Sequence, residues 1–292
     1  MANANSYIKL LRPSQWSKNF FIFAPLVFSR NLFESAPLLQ AAKGFIAFCL
    51  ISSSVYIIND IFDRSEDSVH PVKRDRPIAS GKISITAGFI VSALLLFISI
   101  AVSWFLPIRF IVVIVFYFVM QFFYSFKLKR IVILDVFIIA AGFMLRVISG
   151  AEAINVQVSS WIILCTMFLS LFLASAKRRG ELVSLTEINN LMQRKVLKEY
   201  SLELLNSMMI IAATGMAISY ALYSVAGRTV TVFGTENLIF TTIFVLFGIF
   251  RYLYLVVNKK MGENPVAILT KDAPTLVNLC LWFFVCLVII YR

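Results

Sequence analysis

Charged side chains are scarce in this sequence: 14% of its 292 residues are Asp, Glu, Lys or Arg, against roughly 25% in a soluble chain. That is too little polar surface to wrap a globule, which excludes a soluble domain, a disordered chain and a coiled coil. Cysteine is sparse as well. Cys49, Cys165, Cys280 and Cys286 lie in apolar runs without close Cys/His spacing, so neither a zinc site nor a disulfide-stapled secreted module is expected. The single histidine, His70, has no second His to share a metal and reads as a turn residue beside Pro71. No Gly-rich phosphate loop, Ser-His-Asp order or internal repeat at a fixed period is present. What is abundant is apolar sequence, 60% of the chain, and a polytopic all-α membrane protein is the class that remains.

A hydrocarbon core about 30 Å thick takes about 20 apolar residues in a helix. Nine runs qualify: 19–36, 41–59, 85–106, 108–125, 132–150, 159–176, 207–226, 237–256 and 274–291. The first is the weakest, because it contains Pro25 and ends in polar residues. Met1–Lys18 is polar and no early apolar core precedes a cleavage site, so no removable signal peptide is expected.

The net charge of +12 points to anionic lipid or an anionic substrate as partner, with no sign of nucleic-acid binding. Of the 27 Lys/Arg, twenty fall in the N-terminal segment and the loops after spans 2, 4, 6 and 8, and five on the other side. Positive residues stay inside, so the N-terminus and these loops are expected to be cytoplasmic. The loops after spans 2 and 6 run to about 25 and 30 residues, and long loops in compact folds are usually functional.

After span 2 the chain reads Asn59-Asp60-Ile61-Phe62-Asp63-Arg64-Ser65-Glu66-Asp67. If the helix continues, Asn59, Asp63 and Asp67 share one face, with Asp60 and Glu66 beside them. Stacked anions at a helix C-terminus repel each other and the dipole. A divalent cation resolves that conflict, and Mg2+ takes one or two carboxylates plus phosphate oxygens. The alternative is a solvated acidic end paired with Arg64, Lys73, Arg74 and Arg76.

The Asn59-Asp60-x-x-Asp63-x-x-x-Asp67 spacing resembles the first aspartate motif of the UbiA superfamily of intramembrane prenyltransferases. Leu11-Arg12-Pro13-Ser14-Gln15-Trp16-Ser17-Lys18-Asn19 is similar to the opening of the decaprenyl-phosphate phosphoribosyltransferase branch, and His70-Pro71-x-Lys73-Arg74-x-Arg76-Pro77 to its basic stretch. Tyr124-Ser125-x-x-Leu128-Lys129, Leu145-Arg146-x-x-Ser149-Gly150, Lys177-Arg178-x-x-Glu181-Leu182, Arg251-Tyr252 and Glu263-Asn264-Pro265…Asp272 also resemble that branch. A second Asp-rich motif, which quinone-type prenyltransferases carry after span 6, is missing; Glu181 is the only acid in Ser175–Glu181.

The resemblance implies one domain over residues 1–292, about nine transmembrane helices around a cavity open to the cytoplasm and to lipid, in the inner membrane. It implies transfer of 5-phosphoribose from phosphoribosyl diphosphate to a polyprenyl phosphate with Mg2+ as cofactor. Asn59, Asp60, Asp63 and Asp67 are the expected metal ligands, the three aspartates being catalytic. Lys73, Arg74 and Arg76 are expected around the leaving diphosphate, and Lys18, Lys129, Arg146, Lys177 and Arg178 are candidates for steering the acceptor phosphate, with Arg178 also expected at the donor. Tyr124, Glu181, Arg251 and Tyr252 complete the expected substrate-binding set. Lys18 has a snorkelling alternative and Lys129 a topological one, whereas Arg146 lies inside a span, where ionisable groups are expensive and usually functional. Thr186–Asn206 suits a short amphipathic surface helix or a mere connector. The rival functions are a prenyl-diphosphate-dependent prenyltransferase and a transporter without covalent chemistry.

Overall fold

The computed structural model describes residues 4–70, 72–188, 195–259, 261, 262, 268 and 271–292. In chain order these form α1 (Ala4–Leu11), a 3-10 helix (Pro13–Phe23), α2 (Ala24–Phe28), α3 (Ser35–Phe62), α4 (Arg64–Ser68), α5 (Ile85–Ser103), α6 (Ile108–Phe126), α7 (Leu134–Ala153), α8 (Ser160–Ile188), α9 (Leu202–Val225), α10 (Gly227–Phe233), α11 (Thr242–Val257) and α12 (Ala273–Tyr291). Short 3-10 turns at Lys73–Asp75, Leu128–Arg130, Lys195–Glu199 and Asn237–Thr241 link them. Among the described residues there is no strand.

Among the described residues, eight helical segments are long and apolar enough to cross a membrane: α3, α5, α6, α7, α8, α9, α11 with its leading 3-10 turn, and α12. They match the second to ninth expected runs. The first expected run, 19–36, is not one helix: the 3-10 helix passes into α2 at Ala24, whose N–H still donates to the Phe21 carbonyl, and Pro25 has no N–H to continue that series. Two helices outrun their apolar stretches. α3 continues to Phe62 and takes Asn59 and Asp60 with it; α8 continues to Ile188, so Lys177, Arg178 and Glu181 sit on a helix rather than in a loop. Hydropathy marks where lipid ends, while Lys, Arg, Glu and Leu are good helix formers that let the backbone run on.

For Thr186–Asn206, where a surface helix and a connector were both open, the described part shows pieces of three elements. Ile188 closes α8, Val196 and Leu197 are buried in a 3-10 turn, and Leu202 opens α9. Leu191, Met192 and Arg194 lie outside the described residues.

The chain divides into two compact units. The first comprises Met1–Leu26, Asn31–Ile138 and Leu145–Gln157, the second Val27–Arg30, Ile139–Met144 and Val158–Arg292. In lipid, apolar surface does not drive helices together; small residues and interhelical hydrogen bonds do. In the first unit α3 meets α5 through serines: Ser54 Oγ donates to the Ser92 carbonyl at 2.9 Å, Ser92 Oγ to the Ser54 carbonyl at 3.1 Å and Ser99 Oγ to the Ala47 carbonyl at 2.8 Å. Both partners repeat at seven residues, two turns of each helix. In the second unit α8 packs along α9, with Gly215 close against the Phe168 ring; a Cβ at 215 would lie 2.6 Å from it. Outward faces carry Phe97, Phe116, Ile211, Phe250 and Phe284, surfaces for which lipid is the fitting solvent.

Candidate active site

α3 ends where the acids begin. Asp63 leaves helical geometry at ψ 3°, yet its N–H still donates to the Asn59 carbonyl at 2.9 Å, and the Asp67 N–H donates to the Asp63 carbonyl. The i to i+4 ladder therefore bridges the break into α4, and Asn59, Asp63 and Asp67 keep the common face the spacing predicts. All three aspartates are buried, Asp60 at 2%, Asp63 at 6% and Asp67 at 4% exposure, so the solvated acidic end is not what forms.

Each carboxylate is met by a cation from a different part of the first unit. Arg12, preceding the 3-10 helix, pairs with Asp60; Arg76 pairs with Asp67 and, at 3.1 Å, with Asp60; Lys129, from the turn after α6, pairs with Asp63 and donates to Asn59 Oδ1 at 3.2 Å. Asn59 Nδ2 donates to Asp63 at 3.0 Å. The repulsion expected at this helix end is thus offset by three protein cations. Of the basic residues expected there, Arg76 joins the acids, Arg74 is exposed and Lys73 half-buried. His70 is the turn residue its context predicts, its Nδ1 accepting from the N–H groups of Val72 and Lys73 at 3.2 and 3.3 Å; Pro71 lies outside the described residues. Glu66 is exposed, 3.8 Å from Arg130.

The donor set suits Mg2+, a hard cation that binds carboxylate and carboxamide oxygens. Among the described residues no three His, Cys, Asp or Glu side chains gather round one point.

The N-terminal motif is fastened along α3 residue by residue. Arg12, at φ 52° in the left-handed region, reaches Asp60; Trp16 Nε1 donates to Ser53 Oγ at 3.0 Å; Asn19 Nδ2 donates to Cys49 Sγ at 3.3 Å; Ser52 Oγ donates to Asn19 Oδ1 at 3.4 Å. Sequence reasoning had not singled out Arg12 or Asn19. Their signal is membership of the motif, and their partners Asp60 and Cys49 lie 48 and 30 residues away in the chain.

Arg146 is buried in α7. Its Nε donates to Asn19 Oδ1 at 2.8 Å and its Nη2 to the Tyr117 hydroxyl at 2.9 Å and Ser52 Oγ at 3.5 Å, and its guanidinium lies over the Phe48 and Tyr117 rings. Tyr124 is half-buried on α6. Lys18 is half-buried on the 3-10 helix, and burial, aided by the positive charges of Arg146 and Arg12, pushes its ammonium down to about 8. The neutral amine is the nucleophile, so a lowered pKa makes Lys18 reactive at lower pH. Acylation of Lys18 by acetic anhydride, followed by mass spectrometry, is expected to rise through a midpoint near pH 8. A midpoint near 10.4, the ordinary lysine value, would contradict this environment.

In the second unit Arg178, buried on α8, pairs with Glu181 at 2.6 Å, and Lys177 lies 4.0 Å from the same carboxylate. Arg179 Nε donates to Asn206 Oδ1 at 2.8 Å and its Nη1 to the Val256 carbonyl at 2.9 Å. Arg251 holds Asp272 through two bonds of 3.1 and 2.7 Å. That pairing keeps the Asp272 carboxyl well below the usual carboxylate range while it caps α12 through the Thr275 N–H. Tyr252 is buried against Phe172, ring centroids 5.1 Å apart. Glu263, Asn264 and Pro265 lie outside the described residues.

Residues 20–180 match the model of the UbiA prenyltransferase family. The chain is similar to decaprenyl-phosphate phosphoribosyltransferase of Mycolicibacterium smegmatis, 37% identical over 221 residues, which span 74% of this chain and 69% of that protein. The protein of the same name from Corynebacterium glutamicum is 35% identical over 224 residues, 75% of this chain and 67% of its own. In fold it is similar to a UbiA homologue from Archaeoglobus fulgidus bound to GPP and Mg2+, with a TM-score of 0.73, 19% identity, and coverage of 98% of this chain and 100% of that one.

Proposed function

Since this chain belongs to the UbiA prenyltransferase family, we propose that it is a membrane transferase moving 5-phosphoribose from phosphoribosyl diphosphate to a polyprenyl phosphate and releasing diphosphate. The observation that carries this reading is the fastening of the N-terminal motif onto α3. The segment that resembles the phosphoribosyl branch, and sets it apart from prenyl transfer, delivers Arg12 into the aspartate cluster. The names of the relatives at 35% and 37% identity support the same activity. α8 adds to it, because the stretch where a second acidic motif would hold metal carries Lys177 and the buried Arg178.

In this reading Asn59, Asp60, Asp63 and Asp67 would hold Mg2+, which would supply neutralisation of charge on the diphosphate. The sugar's C1–O bond to diphosphate breaks, the diphosphate leaves with the electron pair, and an oxygen of the acceptor phosphate forms the new bond to C1. The acceptor is already an anion, so no general base is needed. Arg12, Arg76 and Lys129 stand beside the carboxylates where negative charge grows on the leaving group, and fixed cations at that point favour the transition state over the ground state. Arg74 is open to solvent and suits first capture of the soluble donor. Lys177, Arg178, Glu181, Arg251, Tyr252, Tyr124 and Lys73 complete the proposed substrate-binding set. The basic loops and these residues are assigned to the cytoplasmic side of the inner membrane, where a soluble polyanionic donor is at hand.

The test is diphosphate release by purified protein. Release is expected only when Mg2+, phosphoribosyl diphosphate and a polyprenyl phosphate are all present. Release instead from a prenyl diphosphate with an aromatic acceptor would replace this reading with prenyl transfer.

A further inference from the structure

Arg179 has no part in the reaction proposed above, yet it is buried on α8 between Arg178 and Gly180. A buried charge is expensive unless something of opposite sign meets it. Among the described residues no carboxylate pairs with Arg179. Its Nε donates to Asn206 Oδ1 at 2.8 Å, near the start of α9, and its Nη1 to the Val256 carbonyl at 2.9 Å, in the last turn of α11. The last four carbonyls of a helix have no intrahelical N–H and carry the negative end of its dipole. The guanidinium therefore finds its opposite charge in the end of α11, closing that helix while it holds a second and stands on a third.

The chain leaving α11 returns to the same stretch of α8. The Met261 N–H donates to the Leu255 carbonyl at 3.2 Å. Gly262 then lies so close to α8 that a Cβ there would stand 2.7 Å from the Ala176 carbonyl oxygen and 3.2 Å from the Gly180 Cα. One contact at Arg179 and another spanning Ala176 to Gly180 thus bracket Lys177 and Arg178. Arg178 is itself buried and pairs with Glu181 at 2.6 Å. Successive helical residues point about 100° apart, so fastening Arg179 to α9 and α11 settles where Lys177, Arg178 and Glu181 face.

We propose that Arg179 is a positioning residue: by capping α11 and holding Asn206 it fixes the rotation of the C-terminal end of α8, and so sets how well Lys177 and Arg178 bind the phosphates of the donor, without touching substrate itself. A lysine could not replace it, because a single ammonium lacks the fork that reaches two acceptors on different helices. The effect on the donor rests on the phosphoribosyl reading; the clamp does not.

Removing the Asn206 acceptor leaves every cation in place, which makes Asn206→Leu the informative variant. It should raise the KM for phosphoribosyl diphosphate by roughly tenfold, the worth of one hydrogen bond to a charged group, with kcat and the KM for polyprenyl phosphate little changed. Asn206→Asp keeps an acceptor oxygen and should restore the wild-type KM. Arg179→Met loses both bonds and should be worse than Asn206→Leu, and combining the two should add nothing, since they act through one bond. A merely structural role would lower the active fraction, and hence kcat, at unchanged KM; that result overturns the proposal. So does a raised donor KM in Arg179→Met with a normal one in Asn206→Leu, which would make Arg179 a substrate contact. Hydrogen exchange needs no substrate: the amides of residues 177–181 should exchange faster in Asn206→Leu and Arg179→Met than in wild type. Equal exchange refutes the clamp whatever the protein consumes, whereas faster exchange in a protein that never consumes phosphoribosyl diphosphate upholds the clamp and removes the reaction.

Discussion

Asp63→Asn is expected to lower turnover by at least about a hundredfold while the protein stays folded. The substitution keeps size and hydrogen-bonding capacity but removes the charge. Metal-assisted charge stabilisation contributes several kcal/mol to a barrier, and each 1.36 kcal/mol or so is a factor of ten in rate. The structural cost is smaller: Lys129 loses its ion pair with Asp63 but keeps Asn59 Oδ1 at 3.2 Å. Lys129→Met breaks the same ion pair and removes a cation proposed beside the leaving group while keeping the carboxylate, so it too should slow turnover, but without shifting the Mg2+ dependence as Asp63→Asn does. Rates across a Mg2+ titration, with size-exclusion profiles of each variant, decide the matter. Near-normal activity of Asp63→Asn at limiting Mg2+ would remove this residue from the metal site.

Gly150→Ala should do the opposite, damaging the fold first. A Cβ at 150 would land on the Ile22 carbonyl oxygen, with the Ile22 carbonyl carbon 2.8 Å and Cα 3.0 Å away. These are backbone atoms that cannot swing aside, so α7 and the 3-10 helix must separate, loosening the Arg146–Asn19 bond with them. Overpacking typically costs about 1–3 kcal/mol and sometimes more, which at roughly 2–4 °C per kcal/mol is a fall in Tm of up to about ten degrees. Gly227→Ala is the control: nothing lies within 4 Å of a Cβ there, and its Tm should match wild type. Equal melting of Gly150→Ala and wild type would mean that this close approach is absent.

Much of this architecture is legible in the sequence because lipid imposes a length on every crossing. Eight of the nine apolar runs appear as helices of membrane-spanning length. The run that fails, 19–36, carries Pro25 and adopts 3-10 geometry before it, a choice hydropathy cannot register. The common face of Asn59, Asp63 and Asp67 follows from helical periodicity and survives the break at Asp63. What holds the carboxylates is not legible in the same way. Arg12 and Asp60 are 48 residues apart, Lys129 and Asp63 66 apart, and only folding shows that these cations, rather than the nearer Arg64 and Arg74, meet the acids. Tyr117 and Ser52 as partners of Arg146 are likewise tertiary, though the Ser52-Ser53-Ser54 run inside an apolar helix hints at polar contacts there.

The central claim is the identity of the transferred group, and the mass of the lipid product tests it most directly. Purified protein incubated with Mg2+, phosphoribosyl diphosphate and a polyprenyl phosphate is predicted to yield a lipid heavier than the acceptor by one phosphoribosyl unit, absent with Asp63→Asn. A lipid of unchanged mass from protein that is folded and metal-loaded, or a prenylated acceptor formed when a prenyl diphosphate is supplied instead, would contradict it.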